Sequence, residues 1–192
     1  MTPPSSHISD SGIRDNYLRG NVADFLREMV QADSEISIVS AYFTIYAYQA
    51  LKNQLDQISH LRFLFGEPSF LQSLDPDKTN HKAFQIAEDG IQLSTHLEQR
   101  RIARECADWI RAKVEIRSVR QANLLHAKMY HIDNSGVEHA ILGSANFTAS
   151  GLGVAGQNNN IELDLVVDSN RDRCDLKAWF DELWNNQDLV ED

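Results

Sequence analysis

Three features of this 192-residue sequence predict an α/β fold: a mixed β-sheet flanked by helices on both faces. Short runs rich in β-branched and aromatic residues alternate with stretches of helical periodicity. Two of the strand-like runs are joined by a turn signal, Asp133-Asn134-Ser135-Gly136, so at least one pair is antiparallel. There is no internal repeat and no linker rich in Gly or Ser, which points to one domain over 13–192 after a Pro- and Ser-rich flexible leader at 1–12.

Taken in order, Leu18, Val22, Phe25, Leu26 and Met29 recur at helical spacing and predict an amphipathic helix over 13–31. Residues 36–42 read as a buried strand. Thr44 is placed to cap a helix in which Tyr48, Leu51, Leu55 and Ile58 share a stripe. Residues 61–65 form a second strand, closed by Gly66. Two prolines and several polar residues make 67–80 a loop, with a helix expected over 81–89. Helical spacing returns over 97–112, with Ile102, Cys106 and Trp109 facing inward. Strands are expected at 114–119, 125–132 and 138–142, and a last strand over 160–168. Helix 172–185 follows, with Leu176, Phe180 and Leu183 inward.

Composition narrows the function. The chain is 42% apolar and 24% charged, ordinary usage for a globular domain. With 28 acidic against 18 basic residues the net charge is −10, which disfavours a protein that coats nucleic acid by charge alone. Yet Arg100 to Lys128 carries a local net charge of +5, from eight basic and three acidic residues. One cationic face on an acidic body would favour a polyanion at a single place. No apolar run approaches the ~18 residues needed to cross a bilayer. The N-terminus lacks a basic n-region and an apolar h-region, so a cytoplasmic protein with no membrane partner is expected. Cys106 and Cys174 do not make a disulfide framework, and no His/Cys/Asp cluster has zinc spacing; neither a metal nor another cofactor is expected.

The chemistry gathers between His126 and Glu162. On a strand, His126 and Lys128 would leave the same face, an imidazole beside a fixed ammonium. The lysine can neutralise phosphoryl oxygens while the ring attacks phosphorus or passes a proton. Gly143 allows close backbone approach, and Ser144 and Asn146 offer donors to phosphate oxygens. Asn160, Glu162 and Asp164 alternate onto one face, where a carboxylate can accept the Nδ1 proton of a catalytic histidine. Packing or solvated roles are the better reading for His7, His60, His81, His96, His131 and His139. Tyr42 and Phe43 read as core, with base stacking as the alternative.

The order His-x-Lys-x4-Asp (126–133), Gly-Ser-x-Asn (143–146), Asn-x-Glu (160–162) resembles the phospholipase D superfamily. The phrase from Gly143 to Leu152 is most similar to its single-motif nuclease branch, and to the domain fronting some bacterial helicase and restriction-type proteins. That resemblance implies the phospholipase D-like fold and metal-independent phosphodiester cleavage through a phosphohistidine. His126 would be the nucleophile, Lys128, Ser144 and Asn146 would bind phosphate, and Glu162 would orient the histidine. Asp133, Gly143 and Asn160 would support them. Nine residues separate Asp133 from Gly143 where the family usually has about six, which fits a longer hairpin and weakens the match of Asp133. A single motif copy, in a mechanism that uses two histidines, implies a homodimer with one His126 from each subunit. The expected substrate is nucleic acid, DNA rather than RNA. The alternative is a catalytically weak binding or targeting module of a larger protein, covalently linked to a helicase region that this chain does not contain.

Overall fold

The computed structural model of the chain describes residues 11–66 and 96–192. The expected loop at 67–80, the helix at 81–89, and all of the leader except Ser11 and Gly12 lie outside these residues. Gly12 already belongs to the fold, since its carbonyl accepts the Val166 N–H at 2.8 Å.

In chain order the elements are β1 (Ile13–Arg14), α1 (Val22–Met29), β2 (Glu35–Ser40), α2 (Ile45–Leu55) and β3 (His60–Phe65), then α3 (His96–Lys113), β4 (Val114–Val119), β5 (Lys128–Asn134) and β6 (Val137–Gly143), and finally β7 (Asp164–Val166), α4 (Asn170–Trp184) and β8 (Val190–Glu191). The eight strands form one mixed sheet in the order β1-β7-β6-β5-β2-β3-β4-β8. β2, β3 and β4 run parallel, and every other pairing is antiparallel. Thus the mixed α/β sheet expected from the sequence is the one observed.

Alternation along the strands divides the core between the two faces of the sheet. Ile36, Ile38, Leu61, Phe63, Tyr130 and Ile141 pack with α1, α2 and α3, while Val39, Leu64 and Met129 pack under Phe180 and Trp184 of α4. Ile102, Cys106 and Trp109 face inward as the spacing predicts, and the Trp109 indole donates to the Leu55 carbonyl at 2.9 Å. Burial pushes the Cys106 thiol up to about 12, so it serves as packing and stays protonated. Thr44 caps α2 as expected, its hydroxyl accepting the Ala47 N–H.

The first expected helix is shorter than its apolar spacing suggests. Residues 13 and 14 pair with β7, and the chain then closes a tight loop over 15–20. The Asp15 carboxylate accepts the N–H groups of Tyr17, Leu18 and Arg19 at 2.8–2.9 Å and pairs with the Arg19 guanidinium. Asn16 and Gly20 adopt positive φ, and Asn21 then caps α1. Leu18, expected on the buried stripe, is 70% exposed. Local carboxylate-to-backbone bonding has overridden periodicity here.

Candidate active site

The site forms where β5 begins and β6 ends, beside the carboxyl ends of β2, β3 and β4. β5 and β6 pair in register from Asn134↔Val137 to Lys128↔Gly143, closing on Ser135-Gly136, both with positive φ as a two-residue hairpin turn requires. Gly143 pairs in turn with Asp164, so Lys128, Gly143 and Asp164 lie in one row across three strands. Gly143 is obligatory. A methyl group there would fall 2.3 Å from the Leu163 carbonyl oxygen and 2.4 Å from Asp164 Oδ1.

Beyond that row, the Ser144 hydroxyl donates to Glu162 Oε2 and accepts the Leu163 N–H at 3.0 Å. Asn160 Nδ2 donates to Glu162 Oε1 at 3.1 Å, and the Glu162 N–H reaches the Asp15 carbonyl. Ser144, Asn160 and Glu162 are therefore brought together as the sequence suggests, beside Gly143 and its register partner Lys128. The backbone differs from the expectation. Residues 160–163 lie outside the sheet, because β6 ends at Gly143 and leaves them no strand to pair with.

Asn146 sits one turn deeper. Its Oδ1 accepts the Ala41 N–H at 3.0 Å and lies 3.2 Å from Ser40 Oγ, at the end of β2. Among the described residues its amide nitrogen has no acceptor, so this end can donate to a ligand oxygen such as that of a phosphate.

His126 is exposed and stands before β5 rather than on it. The ladder to β2 ends at Val39↔Met129 and the ladder to β6 at Lys128, so residue 126 has no strand on either side. The chain just before it runs against Gly66, where the Leu125 carbonyl passes so close that an added methyl would lie 2.5 Å from it. His126 Nε2 is 3.0 Å from the Asn123 carbonyl, and Lys128 Nζ donates to the His126 carbonyl at 3.0 Å. Among the described residues no hydrogen bond joins His126 to Glu162, which corrects the expected orienting contact. The carboxylate is instead occupied by Ser144 and Asn160. Asp133 is also remote from the site. It lies at the far end of the hairpin, where its carboxylate accepts the Gly136 N–H at 2.6 Å, a turn role.

Other sequence expectations resolve as follows. Phe43 is half-buried, stacked on Phe147 with centroids 5.3 Å apart, while Tyr42 is 51% exposed beside the Asn146 cradle. His131 is fully buried, and His60 lies 3.4 Å from Glu115. His7 and His81 fall outside the described residues, and His96 opens α3. The basic segment is more occupied than its charge suggests. Arg101 and Arg111 pair within α3, Lys113 bonds the Asp56 and Ile58 carbonyls, and Arg117 and Arg120 pair with Asp192 and Glu191. Among the described residues no group of three His, Cys, Asp or Glu side chains is placed to hold a metal, and no helix is long and apolar enough to cross a membrane.

Two neighbours of the site were not assigned from sequence. Asp164 is 2% exposed beneath it, and the Tyr130 hydroxyl, fully buried, donates to the Ala145 carbonyl at 2.9 Å. Burial raises both above their ordinary ranges. The Glu162 charge adds to the rise, whereas N–H bonds from Ala145 and Ser144 oppose it at Asp164. The signal for Asp164 was its alternation with Glu162; nothing in the sequence singled out Tyr130.

The sequence matches the family described as "Cardiolipin synthase, PLD-like domain" over residues 25–184. The chain belongs to the phospholipase D superfamily. The match spans every expected site residue from His126 to Glu162, while the Asp15 loop and β8 of this phospholipase D-like domain fall outside it. Membership ties the domain to phosphodiester chemistry of the phosphodiesterase type. No curated protein matches the chain.

Proposed function

We propose that this phospholipase D-like domain is a metal-independent phosphodiesterase that cleaves nucleic acid, DNA rather than RNA, as a homodimer. One observation carries the reading: the Lys128↔Gly143 pair sets the ammonium-bearing residue beside the Gly143–Ser144 turn, with an exposed imidazole two residues before it. In the first step His126 Nε2 attacks phosphorus, the bond to the leaving oxygen breaks, and that oxygen takes a proton from a second imidazole. Water then attacks phosphorus, giving its proton to the second imidazole, and the phosphorus–nitrogen bond breaks to free His126. Lys128 neutralises charge on the non-bridging oxygens. A bond to the Asn123 carbonyl keeps the proton on Nε2, so attack requires the ring to leave that carbonyl and carry its proton on Nδ1.

Supporting the dimer is the need for a second imidazole, which His126 of another copy would supply. The surface beside Glu162 is also apolar: Ile161, Leu163 and Leu165 are 80%, 67% and 52% exposed, and Leu165 pairs with exposed Leu142. The second reading, a binding module with little or no turnover, is favoured by the occupied Glu162 carboxylate and the inward-bonded His126 ring.

Sedimentation and plasmid nicking in EDTA test the two readings. The proposal expects a dimer whose nicking is abolished by His126→Ala. Activity that needs added Mg²⁺ and survives that substitution would overturn it, and DNA binding without cleavage would favour the module.

A further inference from the structure

Asp164 lies in the hydrogen-bonded row that contains Lys128, is almost wholly buried, and makes contacts that the reaction scheme above does not use. Its Oδ1 accepts the Ala145 N–H at 3.1 Å, and the Ser144 N–H bears on the same carboxylate. The Ala145 carbonyl, part of the next peptide, is held by the Tyr130 hydroxyl. Two buried groups thus grip the peptides on which Ser144 turns outward to meet Glu162. The residue facing the carboxyl is Gly143, where any side chain would strike Asp164 Oδ1 at 2.4 Å. Among the described residues Asp164 Oδ2 has no hydrogen-bond partner, and the atom is sealed from solvent. A buried carboxyl with one oxygen unpartnered is costly, so packing alone is a poor account of an acid at this position.

We infer that Asp164 is a positioning residue of the phosphodiesterase site, holding the Gly143–Ala145 turn so that Ser144, tied to Glu162, presents its hydroxyl to the phosphate. This rests on the phosphodiesterase reading of that site. The role needs an acceptor oxygen rather than a charge, so asparagine, which keeps one, should preserve it. Alanine should let the turn relax, and a displacement of about 1 Å at such a site costs roughly 100-fold in rate. Because Asp164 would act through Ser144, the two losses should not add.

The experiment is a double-mutant cycle of Asp164→Ala and Ser144→Ala, with Asp164→Asn alongside. It is read by kcat and KM on bis(p-nitrophenyl) phosphate and by calorimetric affinity for tungstate, with melting temperature recorded for each variant. Asp164→Ala should lower kcat about 100-fold. Adding Asp164→Ala to Ser144→Ala should then change little, and Asp164→Asn should stay within about threefold of the parent. Additive losses, or an asparagine variant as poor as alanine while still folded, would overturn the inference. If the parent hydrolyses no phosphodiester, the catalytic reading fails by itself. The same cycle in tungstate affinity then decides Asp164, and an affinity unmoved by Asp164→Ala refutes it.

Discussion

Lys128 and Glu162 bring opposite charges to one site, and their removal should fail in different ways. In the proposed reaction Lys128 acts on the phosphate in both ground and transition states, so Lys128→Ala should weaken binding and turnover together. Its binding loss should shrink as salt screens the site, measured as KM against ionic strength. Glu162 is tied to Ser144 and Asn160. Glu162→Gln should leave KM nearly unchanged and lower kcat by about 30- to 1000-fold, the effect of losing ~2–4 kcal/mol of charge-assisted stabilisation. An unchanged kcat would remove Glu162 from the site. At this scale sequence reading succeeded where residue type and spacing settle the matter: Gly143, Ser144 and Lys128 meet because the hairpin pairs them. It failed for partners. Alternation puts Asn160, Glu162 and Asp164 on one face but cannot say that Glu162 will take the Ser144 hydroxyl or that Asp164 will lie beneath the turn.

Among elements, the loop over 15–20 departs furthest from the sequence reading, and its stability can be tested directly. Burial alone would raise the Asp15 carboxyl, but bonds from Arg19, Tyr17 and Leu18 outweigh it and hold it at about 2. Its folded value is thus lower than its unfolded value of 3.8, so the loop's contribution is complete above that value and is lost as pH falls from 3.8 toward 2. Asp15→Ala orphans backbone donors and should cost about 1–3 kcal/mol, read as a lower urea midpoint at neutral pH. The Glu162 N–H bonds the Asp15 carbonyl, so the same variant should also raise the hydrogen-exchange rate of that amide. The hairpin and the cap of α2 were legible because a dipeptide and one hydroxyl decide them. β8 was not, since a two-residue strand gives no periodicity and exists only through its partner β4.

At the scale of the whole molecule, the two-faced core was legible from alternation, but a polar layer inside it was not. His131 is fully buried between the sheet and α4, its Nε2 3.6 Å from Glu138, with Lys177 and Asp181 nearby. Burial lowers its pKa against the opposing pull of Glu138. The unfolded chain therefore binds more protons below about 6.5, so stability is complete above that pH and falls as the solution is acidified. Urea midpoints at about pH 8 and pH 5.5 should differ, and His131→Leu should reduce the difference. A remainder should persist, because burial also lowers His139. An undiminished difference would exclude His131 as a source. The hairpin has a further consequence, one of parity. Extending both arms equally moves the turn outward and leaves Lys128 opposite Gly143, so lengthening in pairs is invisible at the site. An odd insertion must change the loop length or force a bulge, or every side chain on one arm changes face. The three residues by which this chain exceeds the usual spacing make an odd number. The ladder nonetheless runs unbroken from Lys128↔Gly143 to Asn134↔Val137 and closes on Ser135-Gly136, so no bulge interrupts either arm. A segment remote from the candidate site thereby limits which insertions leave the Lys128↔Gly143 pairing in place.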